Sequence, residues 1–104
     1  MNLPENSVDV ALTLDAYHHY DYPADMLSGI RRALKPAGRL VIVDFYRRQG
    51  AMGSNRSPDF EQKHIRLDEE DLIKEVESNG FRLVSRRVHI PKSQYMVTFE
   101  KSVQ

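Results

Sequence analysis

The residues best able to do chemistry in this chain stand together in Asp15-Ala-Tyr-His-His-Tyr20. A histidine with a pKa near neutrality can take a proton from a nucleophile, and neighbouring aromatic rings can wall a pocket. The segment follows Val8-Asp-Val-Ala-Leu-Thr-Leu14, a mostly apolar run with β-branched residues that reads as a buried strand. Ligands of open α/β sheets bind beyond the carboxyl ends of the strands, which is where this order puts Tyr17, His18 and His19. The competing reading is a polar loop whose tyrosines cover a helix. A metal site is disfavoured, because His18 and His19 are adjacent and point apart, His64 and His89 are remote, and cysteine is absent. Asp44 is a lone carboxylate at the end of a second strand, and Arg86-Arg87 is the kind of pair usually found solvated. Gly50-Ala-Met-Gly53 has neither the dinucleotide fingerprint nor the Lys-Ser/Thr of a phosphate loop, and no serine stands in a G-x-S-x-G elbow.

The elements that must position these groups are punctuated clearly. Pro23 suits a first helical turn, and Met26, Leu27, Ile30 and Leu34 recur at helical spacing, with Pro36 and Gly38 ending the helix. Arg39–Tyr46 is apolar at consecutive positions, as in a strand covered on both faces, so strand, helix and strand form a βαβ unit. Residues 47–66 make a long loop, with a short helix expected around Asp59–His64. Asp68 is a good N-cap, Leu67 and Leu72 can form a hydrophobic staple, and Asn79-Gly80 ends a second helix whose Leu72, Ile73 and Val76 face the core. Phe81, Leu83 and Ser85 alternate inward, then Val88 and Ile90 do so in the opposite phase, which predicts a bulge near Ser85–Arg87. Tyr95, Val97 and Phe99 alternate in a last strand joined by Pro91-Lys-Ser93 as an antiparallel hairpin.

The chain has 104 residues, room for one domain with one modest core. Fifteen basic and fifteen acidic residues cancel, which removes a general electrostatic case for nucleic-acid binding. The balance is uneven, since residues 1–30 hold five acids and no Lys or Arg, and the rest ten acids against fifteen bases. No apolar run is long enough to span a membrane and no leader opens the chain, so a cytoplasmic protein is expected.

Together these residues resemble the carboxyl-terminal half of a class I S-adenosylmethionine-dependent methyltransferase. Leu3-Pro-Glu-Asn-Ser-Val-Asp9 resembles the turn into the family's fourth strand, and Ala16-Tyr-His-His-Tyr20 the aromatic-histidine segment after it. Leu34-Lys-Pro-Ala-Gly-Arg-Leu-Val-Ile-Val-Asp44 resembles the family's L-K-P-G-G-R-L run, with Ala37 where glycine is usual, and Gly80 to Lys101 resembles the closing hairpin. The resemblance implies an α/β fold: a three-layer Rossmann-like half-domain, β-α-β-(long loop)-α-β-β, with parallel strands and a C-terminal antiparallel hairpin. Residues 1–104 would form one partial domain, family strands four to seven. It implies S-adenosylmethionine as cofactor, with Leu3 near the adenine side and Leu14 and Asp15 near the methionine portion. Tyr17, His18 and His19 would face the methyl group or the acceptor, with one of the two histidines as candidate base.

The family's glycine-rich turn and ribose-binding acid have no counterpart, for no G-x-G occurs. Two readings stay open: part of a methyltransferase, inactive as this isolated chain and with its acceptor unknown, or a non-enzymatic, self-associating α/β binding module without cofactor. In the family the fourth strand pairs with a first strand that this chain lacks. Val8–Leu14 is therefore expected at a sheet edge with Asp9 its only charge, and a homodimer through residues 8–14 is the simplest closed solution. The alternative is that the acidic N-terminal residues fold over that edge.

Overall fold

The computed structural model describes residues 3–14, 17, 21–47, 50–53, 57, 59–61, 65 and 67–102. Its elements are β1 (Val8–Leu14), α1 (Pro23–Ala33), β2 (Leu34–Phe45), α2 (Glu69–Glu77), β3 (Phe81–Ile90) and β4 (Gln94–Lys101). They build a mixed sheet in the order β1-β2-β4-β3. β1 runs parallel to β2, and β4 runs antiparallel to both β2 and β3. The hairpin partner β4 thus lies inside the sheet, and β3 takes the far edge.

Pairing register fixes which side chains share a face. Ala11 lies beside Leu40 and Thr13 beside Ile42, while Leu40 pairs with Phe99 and Ile42 with Val97. That face packs on Leu27 and Ile30 of α1 and on Leu72, Ile73 and Val76 of α2, in one apolar core. Tyr95, Val97 and Phe99 are fully buried on it, as their alternation predicts. Both helices therefore cover the same face. Of the three layers expected, the described residues build two, the sheet and one layer of helices. The other face carries Val10, Leu12 and Leu14, all exposed.

Local chemistry explains the boundaries. Pro23 starts α1, and Asp25 stands in its first turn with Arg31 and Arg32 in its last, all favourable to the helix dipole. β2 begins at Leu34, earlier than the expected Arg39, because Val8 pairs with Leu34 before the register jumps to Val10 with Arg39. Gly38 permits the jump: a Cβ there would lie 3.1 Å from the Asp9 carbonyl oxygen and 3.0 Å from that of Lys35. Gly80 ends α2 at φ +91°, a conformation that suits glycine. Its carbonyl accepts the Arg31 Nε–H at 2.9 Å, and the same guanidinium donates to the Ser102 carbonyl at 3.1 Å, so α1 is tied to the starts and ends of the hairpin.

Two local expectations are corrected. Asp68 is the N-cap residue of α2, but its side chain makes no capping bond. Its Oδ1 accepts the Arg47 N–H at 2.9 Å instead, fastening the segment after β2. Val88 and Ile90, expected inward, are exposed. The register shifts fall at Leu83/Ser85 and Val88/Ile90, the first close to the expected bulge. Beyond Arg86, which pairs with Glu69 and Glu70 of α2, no described element reaches over the edge strand.

Candidate functional site

β1 and β2 end side by side, with Leu14 paired to Val43, so the segments after Leu14 and after Phe45 leave the same edge of the sheet. Of the chemically able segment after β1, Tyr17 is described; Asp15, His18, His19 and Tyr20 lie outside the described residues, as does His64. Tyr17 is 1% exposed and belongs to the core. Its hydroxyl donates to Glu75 Oε1 of α2 at 2.6 Å. The ring thus anchors the segment that carries both histidines onto the second helix. Tyr17 is thereby tied to α2 within the core.

Asp44 sits at the end of β2, buried, with Oδ1 accepting the Phe45 N–H at 2.8 Å. Beneath it the Tyr46 and Tyr95 rings meet at 5.3 Å between centroids, tilted by 55°. The Tyr95 hydroxyl is buried without a hydrogen-bond partner among the described residues. Burial first, and then the nearby Asp44 charge, hold this phenol well above the ordinary tyrosine value, so it stays protonated at neutral pH.

The segment after β2 is folded back by a carboxylate that the sequence did not single out. Glu61 is 0% exposed and accepts the Gly50 N–H at 3.3 Å and the Met52 N–H at 2.8 Å. The turn it holds, with φ +85° at Gly50 and +123° at Gly53, buries Ala51, whose carbonyl accepts the Ser93 hydroxyl at 2.6 Å. Arg47 Nε–H donates to the Ile65 carbonyl at 2.7 Å. The 50–53 turn, Ile65, Asp68 and the β3–β4 turn are thereby held around the carboxyl end of β2. Glu61→Ala should cost about 1–3 kcal/mol, since two part-buried backbone donors lose a charged, fully buried acceptor. Urea unfolding would read this, and a change below about 0.5 kcal/mol would show that the turn holds without the carboxylate.

The remaining candidates are placed less tightly. Leu3 lines an apolar groove of about 250 Å³ between β1 and α1, together with Ala11, Met26 and Ile30. Leu14 stands outside that groove, 57% exposed at the strand's carboxyl end. Arg86 is engaged by Glu69 at 3.2 Å and Glu70 at 2.6 Å, and holds the Glu70 carboxyl below its ordinary value. No group of His, Asp or Glu among the described residues is arranged to hold a metal ion. No helix among them is long and apolar enough to cross a membrane.

Residues 1–42, covering β1, α1 and most of β2, match a family described as a methyltransferase domain. Over 99% of its length the chain superposes on a putative type 11 methyltransferase from Sulfolobus solfataricus, with a TM-score of 0.77 at 25% identity, covering 55% of that protein. A SAM-dependent methyltransferase from Aquifex aeolicus gives a TM-score of 0.77 at 23% identity, with 95% of this chain and 48% of that one covered. The 1,6-didemethyltoxoflavin-N1-methyltransferase of Burkholderia thailandensis, solved with 1,6-didemethyltoxoflavin and S-adenosylhomocysteine, gives 0.71 at 22% identity, with 95% and 46% covered. The chain thus spans about half the length of these structures. No curated protein sequence matches it.

Proposed function

From the carboxyl-terminal half of a class I methyltransferase fold that this chain carries, we infer a part in S-adenosylmethionine-dependent methyl transfer. The observation that carries this reading is the coincidence of the methyltransferase-domain match over residues 1–42 with β1 and β2 ending side by side, Leu14 paired to Val43, at one edge of the sheet.

The cofactor would supply a methyl group already activated by its sulfonium, so the protein's task is alignment and removal of the acceptor's proton. In this reading His18 or His19 takes that proton, and Tyr17, held by Glu75, orients the segment bearing both. Leu14 and Asp15 flank the methionine end. Leu3 takes the adenine side, in a groove that runs along β1. The residues present fit one apolar flank of the cofactor. They do not provide a cradle for its ribose and carboxylate, since no G-x-G turn exists in the sequence. The acceptor is a nucleophile that loses a proton on methylation.

The expected result of titrating the isolated chain with S-adenosylmethionine is heat of dilution alone. A dissociation constant in the low micromolar range would show that this half suffices. The reading itself is tested by a chimaera in which the chain replaces the matching half of the Aquifex aeolicus protein. A folded chimaera should bind S-adenosylhomocysteine, and one that keeps its helical circular dichroism yet binds none would overturn the assignment.

A further inference from the structure

A cavity of about 350 Å³ lies where α1 and β4 end, lined by Glu5, Asn6, Ser28, Arg31, Arg32 and Lys101. Arg39, at the amino end of β2, pairs with Glu100 beside Lys101, so this is the sheet edge opposite the carboxyl ends of β1 and β2. Arg31 is half-buried and fixed, its Nε–H and an Nη2–H ending on the Gly80 and Ser102 carbonyls at 2.9 and 3.1 Å. Gly80 makes room for it, since a Cβ there would lie 2.5 Å from that Nε. Both acceptors are neutral, so this guanidinium meets no carboxylate among the described residues. Lys101 is likewise half-buried, with the neutral Asn6 Oδ1 at 3.4 Å as its acceptor. Half-buried cations without a counter-charge carry a desolvation cost that a bound anion would offset. Glu5 does not neutralise them: it stands 4.0 Å from Arg32, in a pair whose side chains are 72% and 70% exposed.

We propose that this cavity binds a phosphate group, as free phosphate or as the terminal group of a small polar monoester. Arg31, Arg32 and Lys101 against Glu5 leave a net charge of +2 in the lining, which matches a phosphate dianion. The carboxyl end of α1 adds about half a negative charge nearby, too little to reverse that sign. Its last carbonyls are also taken, for Arg32 O accepts the Asn6 N–H at 3.0 Å and Ala33 O the Ser7 N–H at 2.8 Å. The planar fork of Arg31, already held in place, suits phosphate oxygens, and Ser28 and Asn6 can add neutral hydrogen bonds. No apolar side chain lines the cavity, so whatever carries the phosphate is itself small and polar. Arg39 to Phe45 spans roughly 20 Å at about 3.3 Å per residue, which separates this cavity from the carboxyl edge. The proposal therefore does not depend on the methyl-transfer reading.

Inorganic phosphate titrated into the chain at constant ionic strength should bind saturably by calorimetry and raise the unfolding midpoint. Glycerol phosphate separates the two sources: tighter binding than inorganic phosphate marks a monoester, and equal or weaker binding marks free phosphate. Lys101→Gln and Arg32→Gln should each weaken binding about tenfold, the loss of one charge-assisted hydrogen bond. Glu5→Gln should tighten binding, which a merely structural role of these side chains would not produce. Arg87→Gln, on the exposed part of β3, should leave the affinity unchanged. Phosphate also stabilises proteins by exclusion from their surfaces. A midpoint that climbs without saturating, and climbs equally in Lys101→Gln, would therefore overturn the proposal. So would unchanged affinity in both cation variants, or binding of single-stranded RNA that inorganic phosphate does not displace.

Discussion

Phe99→Ala should remove about 3–5 kcal/mol of stability, the range for emptying a fully buried aromatic site. Phe99 is fully buried on β4, the strand that pairs with both β2 and β3. It lies between Leu40 and Leu83 in the ladder and meets Phe81 edge-on, with centroids 6.5 Å apart and planes at 72°. Emptying the site would open a cavity between the sheet and both helices at once. A domain of this size has about 5–15 kcal/mol in all, so most of the folded population is at stake. The measurement is urea unfolding at a fixed protein concentration, because self-association would add its own concentration-dependent stability. Phe99→Leu should lose distinctly less, since it keeps most of the volume. A loss under about 1 kcal/mol for the alanine variant would mean that the helices collapse onto the vacated site and that the core is not the close-packed unit described.

Much of the fold was legible because its signals were local. Pro23, the spacing of Leu27 and Ile30, the Asn79-Gly80 stop and the alternation of Tyr95, Val97 and Phe99 each depend on residues a few positions apart. What escaped depends on partners distant in sequence. Asp68 looks like a cap from its neighbours, yet its carboxylate serves the backbone of Arg47, brought near by the return of the chain after β2. Glu61 stands in a stretch without periodicity, and nothing local marks it as the acceptor for Gly50 and Met52. Val88 and Ile90 have strand character by type, but exposure at an edge is decided by where α2 stops. The apolar consecutive pattern of Val41-Ile-Val43 pointed to cover on both faces. The described helices supply it on one, and Val10, Leu12 and Leu14 stand exposed on the other. For the site, Tyr17 was singled out from sequence, while its bond to Glu75 rests on a contact that only the fold creates.

That bond gives the largest functional expectation its discriminating control. In a complete methyltransferase domain containing this chain, replacing the histidine that acts as base should lower kcat by about 10²–10⁴. His18→Ala and His19→Ala, made separately, should differ strongly, because the proposed base is one of the two and not both. The rate with the unaltered pair should rise with pH through the range where imidazole loses its proton, about 6–7 for an unperturbed ring, since a base must be neutral to accept. The variant lacking the base should lose that dependence. Tyr17→Phe keeps the ring but cuts the tie to Glu75, so it should lower kcat while leaving the pH profile in place, as befits a positioning residue. Arg87→Ala, on the exposed part of β3, should leave turnover unchanged. S-adenosylhomocysteine release is the readout. Equal losses from Arg87→Ala and from both histidine variants, or a flat pH profile in the unaltered domain, would remove the histidines from the chemistry. The edge beyond β1 and β2 would then keep only its structural role, with Tyr17 and Glu75 joining the sheet to α2.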